Sequence, residues 1–378
     1  MNKVTARGIK TPLIKTGQNL AEIVVNSLLA DADQENYQLH DGDVIGITEA
    51  VVSIAYNNFA TLDEIAADIN NKFKGNALGV VFPIFSRNRF SMLLKAFARA
   101  KKELYLLMSY PNDEVGNPIL KVEKLKEIKE DVFDDKVYFK HFKDYLHPWT
   151  KMNIVDYYLK IMKEEKAKGK IIFSNNALDI LNYTDQVLIS NVHEREKTRN
   201  LFPKQTNIYT LANILTKSIN GSGYNSEYGL LGSNYFTREK VKLFPSHNED
   251  LLTTIQTLIY QKRKVHVEVF IYGDGAFKDP LTGIWELCDP VVSPSYTKTL
   301  LGSKAELKLK YLAFNELKDL DESEFKKALL ERKKLNTLQD SLGTTPRRTL
   351  DLLGTLADLV SGSGERQTPV VLIQNFLK

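Results

Sequence analysis

Chemistry in this chain is most concentrated around Asp274, which sits between Gly273 and Gly275 at the end of the segment VHVEVFIY. Val265, Val267, Val269 and Ile271 alternate with His266, Glu268, Phe270 and Tyr272. That period of two predicts a strand over 265–272 with a buried face. The flanking glycines permit backbone angles closed to other residues. Asp274 therefore projects from a strand end, where α/β proteins place ligands, and an uncrowded carboxylate there can hold a divalent cation. The same Gly-Asp-Gly also closes an ordinary β-turn, and both readings stay open. Lys278, Asp279, Pro280, Trp285, Glu286, Asp289 and Pro290 follow, dense enough in polar and aromatic residues to predict a structured loop.

Three further patches carry candidate chemistry. Asn220-Gly221-Ser222-Gly223-Tyr224-Asn225, followed by Gly229 and Gly232-Ser233-Asn234, is a glycine-rich stretch whose N–H groups can approach phosphates. It matches neither GxxxxGK[ST] nor GxGxxG. Ser361-Gly362-Ser363-Gly364-Glu365-Arg366 follows a predicted helix with Thr345 as N-cap and Pro346 at N1. Glycine there is also an ordinary helix stop. At Ser86-Arg87-Asn88-Arg89, two arginines flank a strand-to-helix junction. They form either an anion clamp or a solvated basic turn.

Other chemistries find no support. The six histidines form no HExxH or HxxxH pair, no GxSxG elbow occurs, and Cys288 has no base beside it in sequence. A lone cysteine excludes an internal disulfide and a cysteine-built zinc site. The chain has 378 residues, and its 51 lysines and arginines against 47 acids give +4, too near balance to signal nucleic acid. No signal-peptide layout or membrane-length apolar run is present, so a soluble, cytoplasmic protein without membrane or nucleic-acid partners is expected.

The elements that must position these residues follow from periodicity. Asn19 is placed to cap a helix Leu20–Leu29, and VIGITEAVVSIAY (44–56) reads as a buried strand. An amphipathic helix is predicted over Thr61–Phe73. Between 79 and 208, apolar strands alternate with charged helices, including Lys121–Glu130 and Asp156–Lys168, the pattern of an α/β domain. A charged helix begins near Glu322, and Leu350, Leu353, Leu356, Ala357 and Val360 share one face of the helix before Ser361.

GIKTPLIKTGQNLAEIVVNSL, DGDVIGITEAVVS, INGSGYNSEYGLLGSN, VHVEVFIYGDGAF and LDLLGTLADLVSGSGERQTPVVLI together resemble, in order, the coenzyme F420-0:γ-glutamyl ligase family. The resemblance covers roughly three-fifths of the chain and implies an α+β ligase-like core, residues 1–78 and 209–378; the stretch 79–208 has no counterpart in it, and its strand-helix alternation reads as an inserted α/β domain, giving an α/β fold overall. It implies a GTP- and magnesium- or manganese-dependent homodimer that joins glutamate to a carboxylate acceptor. Nucleotide contacts are implied at Thr11, Leu13, Ile14, Thr48, Glu49, Tyr228, Gly362, Ser363, Gly364 and Glu365, and metal contacts at Asp274, Gly275 and Asn225. The sequence departs from the pattern where Asn225 and Ser363 replace acids and Ile54 replaces a lysine. Arg347, Arg348, Arg366, Arg87 and Lys15 are the cations available to compensate. The rival expectation is a non-catalytic nucleotide or small-molecule binding protein on a degenerate ligase scaffold. A nucleic-acid accessory role is weaker still, because basic and acidic residues are interspersed.

Overall fold

The computed structural model describes residues 3–146, 151–246, 248–273, 289–304, 307–335, 347–362 and 366–377. Two main sheets organise them. The first contains β1 (Thr5–Ile9), β2 (Val44–Thr48), β12 (Glu268–Tyr272), β13 (Ser295–Tyr296) and β16 (Val370–Gln374), in the order β1-β16-β2-β12-β13. Strands β2 and β12 run parallel, with Tyr272 opposite Thr48, while β16 is antiparallel to both β1 and β2.

Alternation along these strands sorts their side chains between two layers. Ile45, Ile47, Val269, Ile271, Val370 and Leu372 pack against α1 (Leu20–Gln34) and α8 (Glu249–Arg263). Phe270, Tyr272, Val371 and Ile373 face α11 (Thr349–Val360), meeting Leu350, Leu353 and Ala357. Gly46 is required on that face, because a Cβ there would lie 2.9 Å from the Phe270 ring. The strand at the centre of the sequence reading begins at Glu268, so Val265–Val267 stand outside the ladder.

The 44–56 segment is not one long strand. It is β2 followed by α2 (Glu49–Ala55), which buries Val52 and Ser53. A continuous apolar run does not distinguish a buried strand from a strand-helix junction. Asn19 caps α1 as expected, accepting the Glu22 N–H at 3.2 Å. Thr61 and Glu64 form a reciprocal capping box at the start of α3 (Leu62–Lys72).

The second sheet has six strands in the order β6-β7-β5-β4-β8-β9: β4 (Ala77–Val81), β5 (Glu103–Met108), β6 (Phe133–Asp134), β7 (Lys168–Phe173), β8 (Gln186–Ile189) and β9 (Asn207–Thr210). All its pairings are parallel except that of β6 with β7. On one face α4 (Phe90–Ala100) and α6 (Ile154–Glu164) bury Leu94, Phe97, Tyr158 and Met162, and α5 (Asp135–Phe142) adds Tyr138. Segment 121–130 forms only a 3-10 turn, Val122–Glu127, with no buried residue to anchor a longer helix. The short α7 (Arg195–Arg199) follows β8.

A three-stranded sheet, β3 (Phe59–Thr61), β10 (Asn234–Thr237) and β11 (Lys240–Lys242), lies between the two larger ones in sequence and packing. Its Ala60 and Val241 share a continuous core with α3, α4 and Leu211, Ile214 and Leu230. A ribbon of β14 (Ser303–Lys304) and β15 (Arg347–Arg348), with helices α9 (Leu309–Tyr311) and α10 (Glu322–Leu335), completes the described chain. Because β15 ends at Arg348, α11 starts at Thr349. Thr345 and Pro346, expected at its N-terminus, lie outside the described residues.

Candidate functional site

Strand direction decides which loops meet. Strands β1, β2 and β12 end where β16 begins: Val370 pairs with both Ile9 and Ile47, and Tyr272 lies opposite Thr48. Loops after β1, β2 and β12 therefore leave the same sheet edge, where the segment leading into β16 also arrives. Hydrogen bonds bind them there. Thr11 N–H donates to the Gln367 carbonyl at 3.0 Å, Thr48 N–H to the Pro369 carbonyl at 2.9 Å, and Gly362 N–H to Thr368 Oγ1 at 2.8 Å. Four segments far apart in sequence thus share one edge.

Site residues expected from sequence fall on this edge unequally. Thr11 and Ile14 are buried, Leu13 is 76% exposed, and Thr48 is half-buried before the first turn of α2. Gly362 lies under the Arg366 side chain, where a Cβ would fall 2.6 Å from that of Arg366. Arg366, exposed, thus lays the stem of its side chain over Gly362 at the edge. Lys15, Arg87, Arg347 and Arg348 are exposed, and Arg348 is committed to a bidentate pair with Asp351 at 2.8 Å. Asp274, Gly275, Ser363, Gly364 and Glu365 lie outside the described residues.

Asn225 is buried, and its amide is saturated. Nδ2 donates to the Phe244 and Pro245 carbonyls at 3.0 and 3.1 Å, while Oδ1 accepts the Glu227 and Tyr228 N–H groups at 3.0 and 2.7 Å. Two donors and two acceptor sites are the whole capacity of an amide. Its oxygen has no lone pair left for a cation, and an aspartate here would oppose two carbonyls with negative charge. Among the described residues, no group of three or more His, Cys, Asp or Glu side chains is arranged to hold a metal. The described residues therefore do not by themselves fit a divalent cation.

The glycine-rich stretch also turns its N–H groups inward. Ser222, Gly223, Tyr224 and Asn225 donate to the Ile219 carbonyl, the Phe59 carbonyl, Asn58 Oδ1 and the Leu215 carbonyl. Gly223 is needed for close backbone packing, since a Cβ would sit 2.5 Å from Asn58 Oδ1 and 2.7 Å from Phe59 N. These glycines fold the loop onto β3 and do not cradle a phosphate with those four groups.

Tyr228 remains near the edge, partly buried. Burial first, and then its hydrogen bond to Glu227, push its hydroxyl pKa well above the ordinary tyrosine value, with Arg195 opposing. Beside it opens a cavity of about 340 Å³, bounded by Glu227, Tyr228, Ser246, Asn248, Glu249 and Ser295. Tyr272, at the end of β12, is likewise held neutral by burial, with Ser361 and Asp358 beside its hydroxyl.

Two buried ion pairs were not legible in sequence. Lys242, at the end of β11, closes on the carboxylate of Glu49 in the first turn of α2, and both side chains are buried. The cation is thus paired with Glu49 at the start of α2. Arg89 is neither a solvated turn residue nor an open clamp: its Nη1 lies 2.6 Å from Asp289 Oδ1, both side chains 4% exposed. Asp289 had registered only as loop punctuation. Neither pair has a local motif, because the partners lie 193 and 200 residues apart.

An α/β architecture with its connecting loops gathered along one sheet edge is a form in which α/β proteins bind ligands. The family model for F420-0:Gamma-glutamyl ligase matches residues 8–375, nearly the whole chain, and the chain belongs to that family. A comparison with curated proteins found no match. Among the described residues, no helix is long and apolar enough to cross a membrane.

Proposed function

We propose that this ligase-family chain forms an amide bond between a carboxylate acceptor and glutamate or a similar amine, at the cost of GTP. The observation that carries the reading is the convergence of Thr11, Thr48, Gly273 and Gly362 on one edge of the five-stranded sheet. Arg366 supplies positive charge there. In the reaction, an acceptor carboxylate oxygen attacks the γ-phosphorus and GDP leaves, giving an acyl phosphate. The amine nitrogen then attacks the acyl carbon, phosphate departs with the electron pair of the C–O bond, and the nitrogen loses its proton. Binding both reactants side by side supplies much of the acceleration.

Dependence on magnesium or manganese, and assembly as a homodimer, enter this reading from the family. Asp274 is the carboxylate this reading assigns to the metal, and Glu365 belongs with the nucleotide contacts. We further propose that residues 79–208 form an inserted domain, supported by a six-stranded sheet that draws its strands from 77–210.

The saturated amide of Asn225 and the closed Glu49–Lys242 pair favour a second reading, a non-catalytic nucleotide or small-molecule binder on the same scaffold. Calorimetric titration of GTP with and without manganese, ATP serving as control, tests both. Metal-dependent GTP binding that disappears in Asp274→Ala is expected. Binding without GDP release in the presence of amines and carboxylic acids would select the second reading, and no nucleotide binding would overturn the first.

A further inference from the structure

The turn Ser86–Arg89 joins β4 to α4 on the second sheet, yet its last side chain serves the first. Arg89 N–H donates to Ser86 Oγ at 2.9 Å, and the Asn88 carbonyl accepts the Tyr235 N–H at 2.8 Å, so the turn is fixed at its base. From there the guanidinium reaches Asp289, and the carboxylate of Asp289 lies against the chain as it leaves β12. A Cβ added to Gly273 would fall 2.5 Å from Asp289 Oδ2. The same Gly273 donates its N–H to the Val292 carbonyl at 2.8 Å. Gly273 is thus gripped by both its contact with Asp289 and its hydrogen bond to Val292, and it is the residue through which β12 enters the site edge.

A buried ion pair is a poor device for stability alone. Desolvation of both charges offsets most of their attraction, and an apolar pair of similar volume often does as well. What such a pair supplies is one defined geometry. A glycine with a carboxylate oxygen against its α-carbon has no room to shift toward it.

We propose that Arg89 and Asp289 are positioning residues for the nucleotide site: the second sheet, through this pair, fixes Gly273, where β12 ends at the site edge. This rests on the ligase reading above. Outer groups that orient metal ligands typically govern roughly 10–100-fold in metal affinity or activity, and the same scale is expected of this pair.

The test uses the full-length protein with Arg89→Met, Arg89→Lys and the double replacement Arg89→Met with Asp289→Leu. Melting temperature and the Kd for GTP in manganese are measured for each. Arg89→Met is expected to weaken binding by about tenfold or more, with Arg89→Lys recovering part of it. The double replacement, which removes the stranded charge, is expected to regain the melting temperature while the Kd stays weak. A double variant that binds with the wild-type Kd overturns the proposal, because the pair then serves folding alone. So does an unchanged Kd in Arg89→Met. If wild-type protein binds no GTP, the ligase reading fails and this proposal with it, an outcome distinct from variants that match a binding wild type.

Discussion

Lys242 and Glu49 form a buried ion pair that pins the first turn of α2 to the end of β11, residues 193 apart in the chain. Removing the lysine alone leaves a carboxylate without its principal counter-charge in a water-poor site. Lys242→Met is therefore expected to cost about 3–5 kcal/mol in urea unfolding, and Glu49→Gln added to it to recover part of that loss. Equal stability of the single and double variants would show that the pair is not coupled.

Asn225 gives a second prediction, because an acid is the expected residue at its position in the family. Asn225→Asp is expected to lower stability by about 1–3 kcal/mol, since it turns two donated hydrogen bonds into repulsion from the Phe244 and Pro245 carbonyls. Manganese titration of the variant should show no tighter binding than wild type. Stronger metal binding would mean that the loop releases the side chain to the site.

Gly223→Ala probes the loop that sequence alone presented as a phosphate cradle. The new methyl group would collide with Asn58 Oδ1 and the Phe59 backbone. A loss of about 1–3 kcal/mol is expected on thermal unfolding, as for other overpacked sites. If stability held while nucleotide affinity fell, the glycine would belong to the ligand and not to the packing.

Acid should loosen the junction between α4 and the β10–β11 hairpin. Arg99 bonds Glu239 at 2.7 Å and also reaches Glu165 and Asp63. Its guanidinium holds the Glu239 pKa below the ordinary 4.5. A carboxylate with a depressed folded-state pKa stabilises fully above its unfolded value and loses that contribution as pH falls through the folded one. The difference in melting temperature between wild type and Arg99→Met should be constant near neutrality and shrink below 4.5. A gap that stays constant into strong acid would assign the arginine to packing alone.

Local rules made the elements legible where one principle acted alone. The Asn19 cap and the amphipathic helix starting at Thr61 read directly from sequence, as did the alternation that sends Val269 and Ile271 one way and Phe270 and Tyr272 the other. The 44–56 run misled because apolar residues serve a buried strand and a buried helix equally. Polar residues were hardest. Arg89 reads in sequence as a clamp or a solvated turn, Asn225 as a metal contact, and Lys242 carries no signal at all; their roles arise from partners that only the folded chain supplies.

The pairing of β1 with β16 has a consequence for how the protein comes into being. Strands β1 and β2 never touch as neighbours; each pairs with Val370–Gln374, which lies between them. On the ribosome, an emerging chain holds both flanking strands long before the one that joins them. The edge carrying Thr11 and Thr48 closes only when that strand arrives, so an unfinished chain has every early loop of the site and no site.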